Sequence, residues 1–300
     1  MCASKTQHNP SHFDFKAMGS PCTITVYAYD ALDAINVIQK ATAEVHRLEN
    51  KFSRYIKNNT LYHVNQAAKK GGYIDVDDEF ISLLNYADTC YQQSNGLFDI
   101  TAGALRHVWN FSQPSNSASN NLPTDTDIND ALQRIGWQHV KIDNNRVHFL
   151  IPNMALDFGG IVKEYAADSA ANICGSLGVQ HGLINLGGDI KAIGPHPNDN
   201  PWQINIRDAR NPGQHKGGIK LYNEGLATSG DYERFFQIDG QRYSHILSPK
   251  TGWPVKGLTS VTVKAPQCVI AGSACTIAML MEHDGIDWLN GLGVECLWQD

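Results

Sequence analysis

From residue 181 to the C-terminus the chain is cut into short strand-like runs, and this pattern limits the fold more than any other feature. The runs are "GLINLGGDIKAIG", "WQINIR", "GGIKLY", "ERFFQI", "QRYSHIL" and "TSVTVKA". Each is rich in β-branched or aromatic residues and is bounded by Gly, Pro, Asn or Asp, which are the signals of strands and their turns. The first 180 residues mostly carry the helical period instead. After the alternating strand "CTITVYAY", Asp30 is an expected N-cap. The helix behind it should place Leu32, Ile35, Ile38, Val45, Leu48 and Phe52 on one face. A second helix carries Phe80, Leu83, Leu84, Ala87 and Tyr91, and a third follows "DFGGIVKEYAADSA" and closes at Gly178. "DNN" between "HVKI" and "RVHFLI" reads as a hairpin turn. A last helix is expected from about residue 267 to 283, before one short strand. Helices early and strands late predict an α+β fold, with helices packed on largely antiparallel sheets, rather than a βαβ array.

Three hundred residues suffice for one large domain or two interleaved lobes. A formal charge of −6 without a basic run argues against nucleic acid as a partner. No apolar stretch approaches the roughly 18–20 residues that span a bilayer, so no transmembrane segment is expected. The segment 112–127, "SQPSNSASNNLPTDTD", is polar and aperiodic and reads as a surface loop. Residues 1–12 read as a flexible N-terminus ahead of a single domain at 13–298. Seven cysteines form no C-x-x-C pair, which fits reduced, buried thiols and the cytoplasm. The alternative is a periplasmic lipoprotein, with Cys2 left after removal of a signal.

Four segments carry candidate chemistry: "NGLFDITAG", "LDFGGIVKEYAAD", "NLGGDIKAIG" and "LATSGDYERFFQIDGQRYSHILSPKTGWP". Gly159–Gly160 lies just before a helix, where free backbone N–H groups and the helix dipole favour a phosphate. The pair equally reads as a plain turn. Gly187–Gly188 has the wrong spacing for a dinucleotide fingerprint and precedes a strand. Asp239–Gly240 is a two-residue hairpin turn. Its register pairs Ile238 with Gln241, Arg234 with His245 and Asp231 with Ser248. Ser229, Gly230 and Asp231 should then meet His245, Ser248 and Lys250 at the open end. A histidine in such company is the usual general base for a hydroxyl nucleophile. No G-x-S-x-G, H-E-x-x-H or P-loop occurs.

In order, "AMGSPC", "FSRY", "GLFDIT", "LDFGGIVKEYAAD", "LINLGGDI", "ATSGDYERFF" and "YSHILSPKTGWP" resemble the ApbE-type FAD:protein FMN transferases, from about residue 13 to 298. The resemblance implies a T-fold-like α+β architecture with an FAD cleft between two lobes. It also implies Mg²⁺-dependent transfer of FMN from FAD to a threonine or serine of an acceptor protein, with AMP released. The FAD-contacting positions it implies are Met18, Tyr55, Leu97, Phe98, Asp99, Asp157, Lys163, His245 and Ile246, with Ser229 beside them. His245 matches the proposed proton acceptor, and Asp231 is its companion on the open end of the hairpin. Carbonyls around Gly160 and Val162, together with Thr276, fall at the metal site. There the family's D-x-x-x-T becomes "GSACT": Gly272 stands where aspartate is usual, and Ser273 is only a weak neighbouring ligand. Ser248 likewise replaces a usual aspartate, leaving Asp157, Asp189 or Asp231 to compensate. Restoring the carboxylate with Gly272→Asp is then expected to strengthen Mg²⁺ dependence. The acceptor pattern D-G-x-[S/T]-G-[A/S]-T is absent from this chain, so the acceptor should be a separate protein. An FAD pyrophosphatase or a non-catalytic FAD-binding protein are the alternative readings.

Overall fold

The structure, a computed structural model, describes residues 10–300 apart from 29, 110, 112–121 and 212. The described elements run β1 (Pro10–Ala17), β2 (Ser20–Tyr27), α1 (Ala31–Phe52), α2 (Thr60–Lys70), β3 (Tyr73–Asp75), α3 (Asp78–Gln93) and α4 (Asp125–Leu132). They continue through β4 (Val140–Asp143), β5 (Arg146–Phe149), α5 (Val162–Ser176), β6 (His181–Leu186), β7 (Asp189–Ile193), β8 (Trp202–Arg207) and β9 (His215–Leu221). The last are β10 (Gly225–Gly230), β11 (Phe235–Ile238), β12 (Gln241–Ser244), β13 (Ser260–Ala265), α6 (Cys268–Leu280), α7 (Asp284–Leu292) and β14 (Glu295–Gln299).

The organising layer is a seven-stranded sheet in the order β1-β2-β6-β7-β10-β13-β14, with each neighbouring pair antiparallel. Successive residues of a strand face opposite sides, and here both sides are covered. Ala227 faces the main core under α1, α5 and α6, while Leu226 faces a second cluster with Trp202, Ile206, Ile219 and Leu221 of the β8–β9 hairpin. A third cluster joins Leu105, Trp109, Ile128, Phe236, Tyr243 and Leu247 beneath the β11–β12 hairpin. The α+β class and the helix-on-antiparallel-sheet packing are as expected.

Several boundaries differ from the sequence reading. The face of α1 is set by Ala34, Val37, Ile38, Ala41, Val45, Leu48 and Phe52, whereas Leu32 and Ile35 are 80% and 51% exposed. Two alanines, Ala34 and Ala41, belong to this buried stripe, and a pattern of large side chains alone misplaces it. "GLATSG", read only as the start of a candidate chemical segment, is strand β10, interior to the sheet. Two short helices, α2 and α7, are absent from the sequence reading; α2 buries Leu61, Val64 and Ala68, and α7 buries Gly285 and Leu289. β10 is masked in sequence by small residues, and they are what α6 needs. A Cβ on Gly225 would sit 2.3 Å from the Cys268 nitrogen. The segment read as a flexible N-terminus contributes its residues 10–12 to β1. The loop read as ending at 127 gives way to α4, whose first turn is fixed by a capping box between Thr124 and Asp127. Residues 1–9 and 112–121, including Cys2, lie outside the described residues. Cys22, Cys90, Cys174, Cys268 and Cys275 are buried and unpaired, and burial pushes the Cys174 thiol up to about 12. No helix among the described residues is long and apolar enough to cross a membrane.

Candidate active site

A cavity of about 1290 Å³ opens where the β1–β2 turn, the end of α1, the N-terminus of α5, α6 and the β11–β12 module converge. It exceeds the about 300–1,000 Å³ of ordinary small-molecule pockets and suits a dinucleotide. Met18, Tyr55, Leu97, Phe98, Asp99, Asp157, Gly160, Val162, Lys163, Ser229, His245, Ile246 and Thr276 all line it. Asp231, Gly272 and Ser273 do not.

Met18 stands at the tip of the β1–β2 hairpin with φ 54°, followed by Gly19 at 72°. A non-glycine residue in that region is held there by its surroundings. Here the Met18 N–H donates to Glu49 Oε1 at 2.6 Å. Tyr55 follows α1, and the Arg54 guanidinium lies 4.7 Å from the centre of its ring. Asp99 turns to its own loop: Oδ1 accepts from the Thr101 hydroxyl at 2.6 Å and Oδ2 from the Trp137 N–H at 3.1 Å. Burial raises its pKa despite those Thr101 bonds.

Asp157 sits between Arg54 and Arg106, with Arg106 Nε at 3.3 Å. Its Oδ1 accepts from the Gly159 N–H at 2.9 Å. Burial opposes ionisation, but the two guanidiniums outweigh it and hold the carboxyl below its ordinary pKa. The Gly159–Gly160 turn then leads directly into α5. A Cβ on Gly160 would lie 3.4 Å from the Phe98 ring and 3.7 Å from Thr276 Oγ1, so glycine brings the backbone next to that hydroxyl. Gly187 and Gly188 form the β6–β7 turn with φ 65° and 101°, as a hairpin and not a phosphate loop.

Across the cavity, Lys163 Nζ lies 2.8 Å from Asp189 Oδ2. Asp189 Oδ1 accepts from the Thr228 N–H at 3.2 Å. Burial disfavours the Lys163 ammonium, yet Asp189 and Glu164 more than compensate and raise its pKa. The Ser229 and Thr276 hydroxyls are 3.2 Å apart, joining β10 to α6. Glu164 also lines the cavity while only 7% exposed, and its Oε2 has no hydrogen-bond partner. Burial first, then Asp189, pushes its carboxyl up to about 8.

The Asp239–Gly240 turn sets the β11–β12 register as expected, and the His245 N–H donates to the Arg234 carbonyl at 2.9 Å. The expected pairing of Asp231 with Ser248 does not form. The Asp231 N–H instead donates to the Thr259 carbonyl, because β10 runs on into the large sheet beside β13. Its carboxylate pairs with Arg242 at 3.2 Å. Ser248 Oγ accepts from the Lys250 and Thr251 N–H groups of its own turn, and Lys250 is exposed. Ser273 is also engaged elsewhere: its hydroxyl is 2.6 Å from Tyr86 Oη and donates to the Val269 carbonyl.

His245 Nδ1 lies 3.1 Å from the Arg234 carbonyl oxygen. A carbonyl can only accept, so Nδ1 carries the proton and Nε2 keeps its lone pair. Burial first, then Arg106 and Arg234, lowers the imidazole pKa to about 3, which keeps it neutral. Sequence reasoning missed Arg54, Arg106 and Glu164 as site residues. Arg54 and Glu164 fall inside quoted motifs ("FSRY", "VKEYAAD"), whereas Arg106 carries no sequence signal and is delivered by the 3₁₀ turn Gly103–His107.

The profile of the ApbE family matches residues 18–298. A protein of Haemophilus influenzae named FAD:protein FMN transferase is 26% identical over 289 residues, covering 94% of this chain and 80% of its own length. The ApbE protein of Thermotoga maritima superposes with a TM-score of 0.88 at 30% identity, covering 97% of this chain and 94% of that one. The apo flavinyl transferase ApbE of Pseudomonas stutzeri gives 0.85 at 28% identity, covering 97% and 91%.

Proposed function

The chain belongs to the ApbE family, and from that premise we propose that it transfers FMN from FAD to a threonine or serine hydroxyl of an acceptor protein. The observation that carries this reading is His245: a neutral imidazole with a free Nε2, on the wall of a dinucleotide-sized cavity that also holds Arg54, Arg106 and Lys163. Those three cations are suited to the FAD pyrophosphate. The acceptor oxygen attacks the phosphorus of the FMN half, and its proton passes to His245 Nε2. The phosphoanhydride bond breaks and AMP leaves with the bridging oxygen. Such a transfer needs positioning and charge neutralisation more than covalent help from the protein. The negative phosphates bound beside Arg106 offset the positive field that lowers the His245 pKa, so the base strengthens when substrate is present.

The oxygen donors near α5 fit Mg²⁺, which favours hard ligands and is commonly shared with substrate phosphates. Thr276 Oγ1 and carbonyls around Gly160 and Val162 would hold it, beside the unpartnered Glu164 Oε2. Bound there, it would neutralise charge on the phosphate oxygens. Among the described residues no group of three His, Cys, Asp or Glu side chains makes a metal cage. The acceptor is a separate protein bearing a D-G-x-[S/T]-G-[A/S]-T-like segment. The buried, unpaired thiols suit a reducing compartment, the cytoplasm.

The test combines the protein, FAD, Mg²⁺ and a small domain carrying the acceptor segment. Covalent flavin is followed by in-gel fluorescence and AMP by chromatography. Labelled acceptor and AMP appearing together, and both vanishing in EDTA while FAD stays bound, is the expected result. AMP without labelled acceptor means hydrolysis by water, and bound FAD with neither product means a binding protein.

A further inference from the structure

We propose that Glu164 supplies, from α5, the cation-binding carboxylate that α6 lacks at Gly272, and that it acts with Thr276; this rests on the transferase reading above. α5 and α6 pack side by side, and they touch at this pair of residues. A Cβ on Gly272 would lie 2.5 Å from Glu164 Cγ, 2.9 Å from Cδ and 3.1 Å from Oε1. The Glu164 carboxylate therefore occupies the space into which a side chain at 272 would grow. One helical turn on from Gly272, Thr276 lies on the same side of α6 and reaches the cavity that Glu164 also lines.

The alternatives are already engaged. Asp189 accepts from Thr228 and pairs with Lys163, Asp157 is held by two arginines, and Asp231 by Arg242. Ser273 is bonded to Tyr86. Glu164 is different: it is nine-tenths buried and its Oε2 has no hydrogen-bond partner, whereas Asp189 Oδ2, also without a hydrogen bond, has the Lys163 ammonium at 2.8 Å. A buried polar oxygen left without a partner costs stability, and a cation seated beside Oε2 would relieve that cost. Lys163, its neighbour in sequence, is committed to Asp189. A hard divalent cation is the ligand class that suits a carboxylate and a hydroxyl beside phosphate oxygens. Gly272 is thus not an unfilled gap, and on this reading Gly272→Asp alone crowds the metal site instead of strengthening it. The new side chain would collide with Glu164.

Mn²⁺, which takes the same oxygen ligands and is read by electron paramagnetic resonance, is the probe. It is titrated into the full chain with saturating FAD and no acceptor, against protein-free FAD as control. Glu164→Gln keeps shape and removes charge, and should weaken Mn²⁺ binding by roughly ten- to a hundredfold, with FAD affinity in EDTA unchanged. The double variant E164A/G272D moves the carboxylate back to α6 and should recover binding, whereas G272D alone should lower the melting temperature. Wild-type Mn²⁺ affinity in Glu164→Gln overturns the inference, as does a folded double variant that recovers nothing. FMN transfer by the same wild-type sample is scored separately. Transfer without Glu164-dependent Mn²⁺ binding sinks this inference alone, and Glu164-dependent binding without transfer sinks the transferase reading alone.

Discussion

Replacing Asp157 with asparagine removes one negative charge and almost no volume from the centre of a three-residue ion cluster. In the wild type, Asp157 neutralises Arg54 and Arg106 and accepts from the Gly159 N–H. Asparagine leaves two guanidiniums facing each other with no counter-ion. Removing one partner of a buried ion pair costs about 3–5 kcal/mol. Arg54 and Arg106 retain 22% and 26% side-chain exposure, so water screens part of this and the low end, about 3 kcal/mol, is expected. The pH dependence gives a second handle. The folded pKa of Asp157 is depressed, so its stabilisation is complete above the unfolded value of about 3.9 and is lost as pH falls through the lower folded value. Urea unfolding of both proteins, read at pH 7 and 5 and then downward while the wild type stays folded, should show a constant deficit to about pH 4 that shrinks below it. A deficit under about 1 kcal/mol at pH 7, as for an exposed pair, would refute the reasoning. So would a deficit that has already vanished at pH 5.

His245→Ala should lower FMN transfer by about 10²–10⁴-fold while FAD affinity stays nearly unchanged, and lost FAD binding would make the imidazole a ligand contact instead. Because the His245 pKa is lowered, its neutral form persists well below pH 6.5. With saturating Mg²⁺ holding Glu164 ionised, kcat/KM should therefore show no acid limb from His245 between pH 8 and 6 and fall only in more acid solution. An acid limb centred near 6.5 would contradict this. Gly225→Ala drives a methyl against the α6 backbone at 2.3 Å and should cost about 1–3 kcal/mol in thermal or urea unfolding. Unchanged stability would mean that α6 can shift without loss. Trp109→Phe removes the bond from Trp109 Nε1 to the Gly252 carbonyl (2.7 Å) and leaves that buried oxygen unpaired, a cost of about 1–3 kcal/mol. Its ring supports Phe236 and Tyr243 of the β11–β12 hairpin, so kcat should fall more than FAD affinity. Equal losses would detach this cluster from the placement of His245.

The sequence by itself determined what depends on neighbours along the chain. Asp239–Gly240 fixes a two-residue turn, and counting outward from it puts His245 opposite Arg234, where the structure has it. Asp30 caps α1, and the asparagines of "DNN" turn β4 into β5, because both act within a few residues of themselves. The α+β segregation was legible for the same reason, since helical and strand periods are local. Only the tertiary structure decided where the hairpin count stops, because β10 joins β13 and takes Asp231 away from Ser248. Nor could periodicity reveal β10 itself: its small residues answer to the backbone of α6, not to a pattern of their own. The charge balance of the site was equally hidden. Arg54, Arg106 and Asp157 come from three separate segments, and Glu164 meets Gly272 only because α5 and α6 pack side by side. Turns and caps are set by bonds a few residues long, but a carboxylate's partner is set by whatever the folded chain brings within a few ångströms of it.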